Sequence, residues 1–222
     1  MMNLLPLIID LNLELISLLK GVDENGWKRK LLAIDESVEL AFKRLVLDDY
    51  KLINLINTFD EKAEDIKYLI SLYENDQHKL NIYIGKLEDE ILEKEYEKRW
   101  LSHQKIFNAL NKQTLLQPKY YHPYLSLVLS RLPALYNEVK ANRGDILRIE
   151  IVGDAGGTWI IKKDIDRWFF CDVDNYTTLI YIDQQIAWLL FSGLIDVLYA
   201  TQYYQIHGEI ALANSVLQLR WV

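Results

Sequence analysis

The feature that most constrains this chain is a change in hydrophobic periodicity near Arg143-Gly144-Asp145. Before this point, apolar residues recur every three or four positions, which is typical of amphipathic helices. After it, apolar and polar residues alternate over short runs, as in strands with one buried face. The sequence therefore predicts an α+β protein with two domains, residues 1–142 and 143–222.

The first two predicted helices have recognisable ends. Apolar residues from Leu4 onward form one stripe, and the helix that carries them is predicted to end near Gly21. A second helix is predicted to start after a cap at Asp35 or Ser37, because both side chains accept hydrogen bonds from free backbone amides. It is expected to end by Thr58.

The helical rhythm then runs across residues 61–111, which is too long for one globular helix. Gly85 or the polar stretch 74–78 is expected to interrupt it. A last helix is predicted over Lys119–Val139, with a bend at Pro133, whose ring removes a backbone donor. Helices joined by short turns indicate an antiparallel bundle.

The second domain begins with short alternating segments separated by turn residues. Residues 147–151 and 158–163 are predicted strands of a hairpin, with the glycine-rich turn 153–157 between them. That turn lacks the Lys-Ser/Thr ending and the following helix of a phosphate-binding loop. A third strand is predicted at 167–171.

The remaining elements complete a mainly antiparallel sheet with helices packed against it. Residues 177–182 and 202–206 are predicted strands. Asp183 is expected to cap a helix that starts at Gln184. A final helix is predicted over 209–219, which gives an α+β arrangement.

Charge and cysteine content exclude several classes of partner. The net charge of −7 argues against nucleic acid, whose binding depends on clustered Lys and Arg. Cys171 is the only cysteine, so an intrachain disulfide and a cysteine-based zinc site are excluded. Asp10 and Glu14 interrupt the apolar N-terminus, which has no basic leader, so we expect no signal peptide or membrane anchor and a cytoplasmic protein.

Residues along most of the chain carry a family resemblance. They are Trp100, Ile106, Ala109, Pro123, Arg131-Leu132-Pro133, Tyr136, Gly153, Gly156-Gly157, Trp159, Ala187-Trp188-Leu189-Leu190-Phe191, His207-Gly208-Glu209, Leu212-Ala213 and Leu217. In this pattern the chain resembles the DinB-like superfamily, in its two-domain branch that contains mycothiol-dependent maleylpyruvate isomerase. The resemblance covers roughly Leu5 to Leu219.

The resemblance implies a fold and a chemistry. The fold is a DinB-like antiparallel four-helix bundle followed by a small sterol-carrier-like α+β domain. Catalytic members use a divalent metal, usually zinc, and a low-molecular-weight thiol. Their metal is held by a His of the second helix and by a Glu and a His four residues apart on a later helix, a spacing that places both ligands on one helical face.

This chain departs from that pattern at every ligand position. Arg44 lies where the first His belongs, Lys98 replaces the Glu, and Ser102 replaces the second His. Shifting the register by one residue brings in His103, but its partner four residues earlier is then Arg99. Cations repel a divalent ion, so we expect no metal and treat Arg44, Lys98, Ser102 and His103 as candidate ligand-binding residues.

Two roles for these cations are open. They either pair with carboxylates, for which Asp48, Asp49, Glu95 and Glu97 are candidates, or attract an anion; internal pairing is the favoured interpretation. The leading functional hypothesis is a catalytically silent module that binds a small anionic or apolar ligand, or a protein, without a cofactor. The alternative is an active metal- and thiol-dependent isomerase or S-transferase with relocated ligands. Whether the chain is an enzyme, and whether it is a monomer or a dimer, stays open.

Weaker candidates have structural interpretations. Glu74 and His78 have metal-ligand spacing but lie in a polar stretch that favours an exposed face. His122 and His207 are expected to be structural, and Cys171 to be an inert thiol. The aromatic residues of the second domain are expected to be mainly core, with an apolar ligand tunnel as the alternative.

Overall fold

The computed structural model describes residues 3–55 and 65–218 and confirms an α+β protein, with helices preceding a five-stranded sheet. It contains two compact units, Met1–Leu115 and Leu116–Val222. The sequence placed the boundary at residue 142 instead. The units divide earlier because the segment after Leu116 packs with the sheet, where the Tyr136 and Trp168 rings meet edge to face at 5.3 Å.

The first unit is built from helices. They are α1 (Leu5–Lys20), α2 (Glu24–Lys28), α3 (Val38–Leu52), α4 (Ile66–Ile84) and α5 (Asp89–Ala109). Helix α1 packs against α4 and α5, and α3 packs against the same two helices. Their buried stripes supply the core, in which Ile8, Phe42, Tyr73 and Trp100 have no exposed surface.

Helix ends in this unit follow local chemistry. Ser37 is the cap of α3, since its Oγ accepts from Leu40 N at 3.2 Å, whereas Asp35 pairs with Lys30 at 2.9 Å. Gly85 ends α4, as predicted. The alternative break at 74–78 is wrong, because these polar residues continue the helix, mostly on its exposed side. The predicted positions 56–64, including Thr58, lie outside the described residues.

The second unit opens with α6 (Pro118–Leu129) and α7 (Leu132–Leu135). The prediction of one helix over 119–139 is wrong. Pro133 has no amide hydrogen to donate to the preceding turn, and Ser130 Oγ donates to Leu127 O at 2.6 Å where the helix stops. Among the described residues, no helix is long and apolar enough to span a bilayer.

The sheet has the order β3-β2-β1-β4-β5. Its strands are β1 (Ile146–Val152), β2 (Gly157–Lys163), β3 (Trp168–Phe170), β4 (Thr178–Asp183) and β5 (Tyr204–Gly208). Neighbouring strands are antiparallel except β1 and β4, which are parallel. The predicted hairpin across 153–157 is confirmed. Strand β5 starts two residues later than predicted, because 201–203 form a 3-10 turn.

Two helices accompany the sheet, α8 (Gln184–Phe191) and α9 (Ile210–Gln218). Asp183 caps α8, as predicted, by accepting from Gln185 N at 2.7 Å. Both helices contact β4, and α9 also contacts β5. Strand β1 alternates accordingly: Ile149 is fully buried, whereas its neighbours Arg148 and Glu150 are only half-buried and pair at 2.6 Å.

Candidate functional site

A cavity of about 70 Å³ lies between α3 and α5. Both helices contribute residues at three- and four-residue spacing, which places them on facing sides. The lining comprises Leu31, Ala41, Arg44, Leu45, Asp48, Asp49, Glu95, Lys98, Arg99, Ser102 and Lys105. All of them belong to the first unit.

The structure brings together three of the four residues that the sequence singled out. Arg44, Lys98 and Ser102 line the same cavity. His103 does not, because it is fully buried on another side of α5. Burial, with a smaller effect from Arg99, lowers the pKa of His103 to about 3, so its ring is neutral at physiological pH. The ligand-binding role of these residues stays a prediction.

A buried ion cluster borders the cavity. Arg99 donates to Asp49 through both terminal nitrogens, one bond measuring 3.0 Å, and its Nε lies 2.6 Å from Glu95 Oε1. The Arg99 side chain is 3% exposed and that of Asp49 is 5% exposed. Burial is the largest single effect and lowers the pKa of Arg99, but attraction to Asp49, Tyr73 and Glu95 and the hydrogen bonding to Asp49 together outweigh it and raise the pKa, so the guanidinium stays charged.

This cluster extends to the other helices through neutral side chains. Asn12 of α1 accepts from Arg99 Nη1 at 3.2 Å and donates to Gln77 of α4 at 3.0 Å. Tyr73 of α4 donates to Asp49 Oδ2 at 2.6 Å. Burial and the charge of Asp49 raise the pKa of Tyr73, which keeps its proton in place. One polar network therefore links α1, α3, α4 and α5.

Arg44 is also paired, at the outer edge of the cavity. Its Nε and Nη2 each donate to a carboxylate oxygen of Glu36 at 2.9 Å. Hydrogen bonding to Glu36 raises the pKa of Arg44. The arrangement is a two-point guanidinium–carboxylate contact, which satisfies the charge locally. Sequence analysis did not identify Glu36, which precedes the cap of α3.

Three polar side chains that line the cavity belong to none of these ion pairs. Lys98, Ser102 and Lys105 lie on successive turns of α5, and none makes a side-chain hydrogen bond or ion pair with any residue in 3–55 or 65–218. Burial lowers the pKa of Lys105, and the nearby charge of Arg44 lowers it further. Two ammonium groups and a hydroxyl therefore border the cavity without such a contact to the described residues; Lys98 is exposed to solvent, and the charge of Glu36 partly offsets that of Lys105. Lys105 was not predicted from the sequence, although its three- and seven-residue spacing from Ser102 and Lys98 places it on the same helical face.

The lining does not fit a divalent metal. Arg44, Lys98 and Ser102, which stand at the positions that the predicted resemblance assigns to metal ligands, are two cations and a hydroxyl, and cations repel a dication. Within the described ranges, no three His, Cys, Asp or Glu side chains are grouped closely enough to hold an ion.

The weaker candidates lie elsewhere. Glu74 is exposed and pairs with Lys20 at 2.6 Å, and His78 is exposed on the same helix. His122 Nδ1 lies 3.1 Å from Gly156 O, and the His207 ring meets Tyr181 edge to face at 5.9 Å. These contacts are structural in type.

The thiol and the aromatic residues of the second unit complete the set. Burial raises the pKa of Cys171, which disfavours the nucleophilic thiolate. The aromatic residues divide between core and surface. Trp168, Trp188 and Phe191 are buried, whereas Phe169, Phe170, Tyr176, Tyr199 and Tyr203 are exposed.

Comparisons with protein-family models, with curated proteins and with solved structures found no match for this chain.

Proposed function

We propose that this chain is a small-molecule-binding module whose cavity between α3 and α5 holds the anionic group of its ligand. The observation that carries the proposal is the set Lys98, Ser102 and Lys105, three polar side chains on one side of α5 that make no hydrogen bond or ion pair with the part of the chain that the structure describes. Ammonium and hydroxyl groups are strong donors to a carboxylate or phosphate oxygen. An anion seated there satisfies all three.

Charge and size restrict the ligand. With Glu36 included, the cavity has four cationic side chains (Arg44, Lys98, Arg99, Lys105) and four carboxylates (Glu36, Asp48, Asp49, Glu95). This balance disfavours a polyanion such as a nucleotide. A volume of about 70 Å³ compares with about 30 Å³ for one water in the liquid. The best candidate is a molecule with one carboxylate-sized anionic group, the rest of which lies outside the cavity.

The resemblance to DinB-like proteins enters this proposal as the framework. Packing of α1, α3, α4 and α5 through one polar network supports a four-helix bundle, and the sheet with its helices is compatible with a sterol-carrier-like domain. In this framework Arg44, Lys98 and Ser102 take the place of the metal ligands. The proposed protein is a relative that exchanged a metal site for an anion site.

The test is an NMR titration of the full chain with acetate, and with phosphate in parallel, at constant ionic strength set by sodium chloride. Acetate is expected to shift the amide signals of α5 around Ser102 saturably. The Lys98→Met and Lys105→Met variants each lose one hydrogen bond to a charged group, so the affinity is expected to fall about tenfold.

Lys94→Met is the matched control. Lys94 lies on the same helix but pairs with Glu90 in solvent at 2.7 Å and does not line the cavity. Its substitution should leave acetate binding unchanged. Equal effects of all three substitutions, or shifts that sodium chloride alone reproduces, would refute the proposal. Elemental analysis of protein purified without chelators adds a separate check, in which near-stoichiometric zinc counts against an anion site.

A further inference from the structure

Strand β5 forms one edge of the sheet in the second unit. It pairs with β4 on one side, from Thr178↔Gly208 to Ile182↔Tyr204. On its other side, its backbone groups make no hydrogen bond to any residue that the structure describes. The outward-facing amides and carbonyls, which belong to alternate residues of this strand, form a template for another strand.

This edge lacks the protection that the opposite edge has. Strand β3 has three residues and is flanked by the charged residues Asp166, Arg167 and Asp172. Strand β5, Tyr204-Gln205-Ile206-His207-Gly208, is longer, has no Lys, Arg, Asp, Glu or Pro, and has a single charged residue, Glu209, within two positions of its ends. Natural proteins shorten, charge or cover the edges that must not pair. The unprotected edge is therefore the one suited to a partner.

Exposed apolar side chains lie on either side of β5 in sequence. Leu198 and Tyr199 are each 79% exposed, Tyr203 is 43% exposed, and Ile210 is 63% exposed. Clustered apolar exposure of this kind marks interaction surfaces more often than isolated residues do. Within the described residues, the outer backbone edge of β5 therefore lies beside exposed apolar side chains.

We infer that β5 pairs antiparallel with β5 of a second copy of this chain, which joins two sheets across a two-fold axis. The register follows from geometry. Directly opposed residues in an antiparallel pair point to the same face of the sheet, whereas neighbouring residues of one strand point to opposite faces. When two identical strands pair around a two-fold axis, one residue must therefore lie opposite its own copy. Full overlap of residues 204–208 centres the pair on Ile206. Gln205 then lies opposite His207 of the partner subunit, and Tyr204 lies opposite Gly208 of the partner subunit.

A second copy fits this edge for reasons of charge and size. The strand is uncharged apart from the titratable His207, so pairing with itself opposes no acidic or lysine side chains. The amide of Gln205 meets an imidazole, which is a hydrogen-bonding match. The large Tyr204 side chain meets a residue without a side chain. A charged peptide gains no complementary ion pair from the same strand.

Charge substitution tests both the dimer and its register. Sedimentation equilibrium at neutral pH across a wide concentration series is expected to show a monomer–dimer equilibrium for the native chain. In Gln205→Lys/His207→Lys, like charges are directly opposed twice, which should raise the dimer dissociation constant about tenfold or more. In Gln205→Lys/His207→Glu, opposite charges meet at the same positions, and dimerisation should return at least to the native level.

The matched control, Gln113→Lys/Asn175→Lys, adds the same charge at exposed positions away from the edge and should dimerise like the native chain. Circular dichroism establishes that each variant is folded. A native chain that stays monomeric at the highest concentration overturns the inference. A dimer that persists unchanged in Gln205→Lys/His207→Lys also overturns it. If Gln205→Lys/His207→Glu dimerises no better than Gln205→Lys/His207→Lys, the proposed register is wrong.

Discussion

Replacing Arg99 by methionine should destabilise the first unit strongly. The substitution removes the cation that lies between Asp49 and Glu95, whose side chains are 5% and 12% exposed. Two carboxylates then remain close together and shielded from water. Removing one partner of a buried ion pair costs about 3–5 kcal/mol, which is a large part of the roughly 5–15 kcal/mol that stabilises a typical domain.

The assay is urea unfolding of the full chain, followed by circular dichroism at neutral pH. The control is Arg44→Met, the same substitution in the same cavity. The Arg44 side chain is 55% exposed, and its partner Glu36, which is 12% exposed, keeps the attraction of Lys105, so the loss of Arg44 should cost clearly less than the loss of Arg99, about 1 kcal/mol. Arg99→Met/Asp49→Asn should recover part of the lost stability, because a charge is removed together with its partner.

Equal losses in the free energy of unfolding for Arg99→Met and Arg44→Met would contradict this prediction. It also fails if the double variant is less stable than Arg99→Met, since the charge of Asp49 would then not be the origin of the cost.

Two further predictions concern other parts of the chain. His103 has a pKa of about 3 in the folded state, compared with about 6.5 in the unfolded state. Between these pH values the unfolded state binds more protons than the folded state. The free energy of unfolding should therefore fall as the pH drops from 6.5 towards 3, by about 2 kcal/mol at pH 5. His103→Gln should remove this part of the pH dependence in urea unfolding, and an unchanged slope would contradict it. Gly156→Ala should lower the melting temperature, because a Cβ at this position would lie 1.9 Å from Ile151 O. Gly21→Ala is the control and should be tolerated, because its Cβ would lie 3.6 Å from Leu18 O. Equal melting temperatures of the two variants would contradict the prediction.

Local patterns predicted those parts of the fold that local chemistry determines. Ser37 and Asp183 cap helices because their oxygens reach free amides within three residues, and alternation marked β1 and β2. Helix α2 was missed, since five residues are too few to show a period. The parallel pairing of β1 with β4 is a contact between distant segments, which no local pattern specifies.

The candidate site was predictable to a similar extent. The facing positions of Arg44, Lys98 and Ser102 follow from helical spacing combined with the family resemblance. Burial of Arg99 was not predicted, although positions 96, 99, 100 and 103 form one buried stripe along α5. The charge of Arg99 argued against burial, because arginine is seldom buried without partners. Its partner Asp49 lies fifty positions away in the sequence, so local spacing does not identify it.

Anomalous diffraction from a crystal of the full chain soaked in bromide would locate an anion bound between α3 and α5. Bromide is a monoanion that locates sites of unneutralised positive charge. We predict an anomalous peak inside the cavity between α3 and α5, within hydrogen-bonding distance of Lys98, Ser102 or Lys105. Bromide at exposed lysines elsewhere but none in the cavity would contradict anion binding at this site, as would a metal ion held there by protein carboxylates.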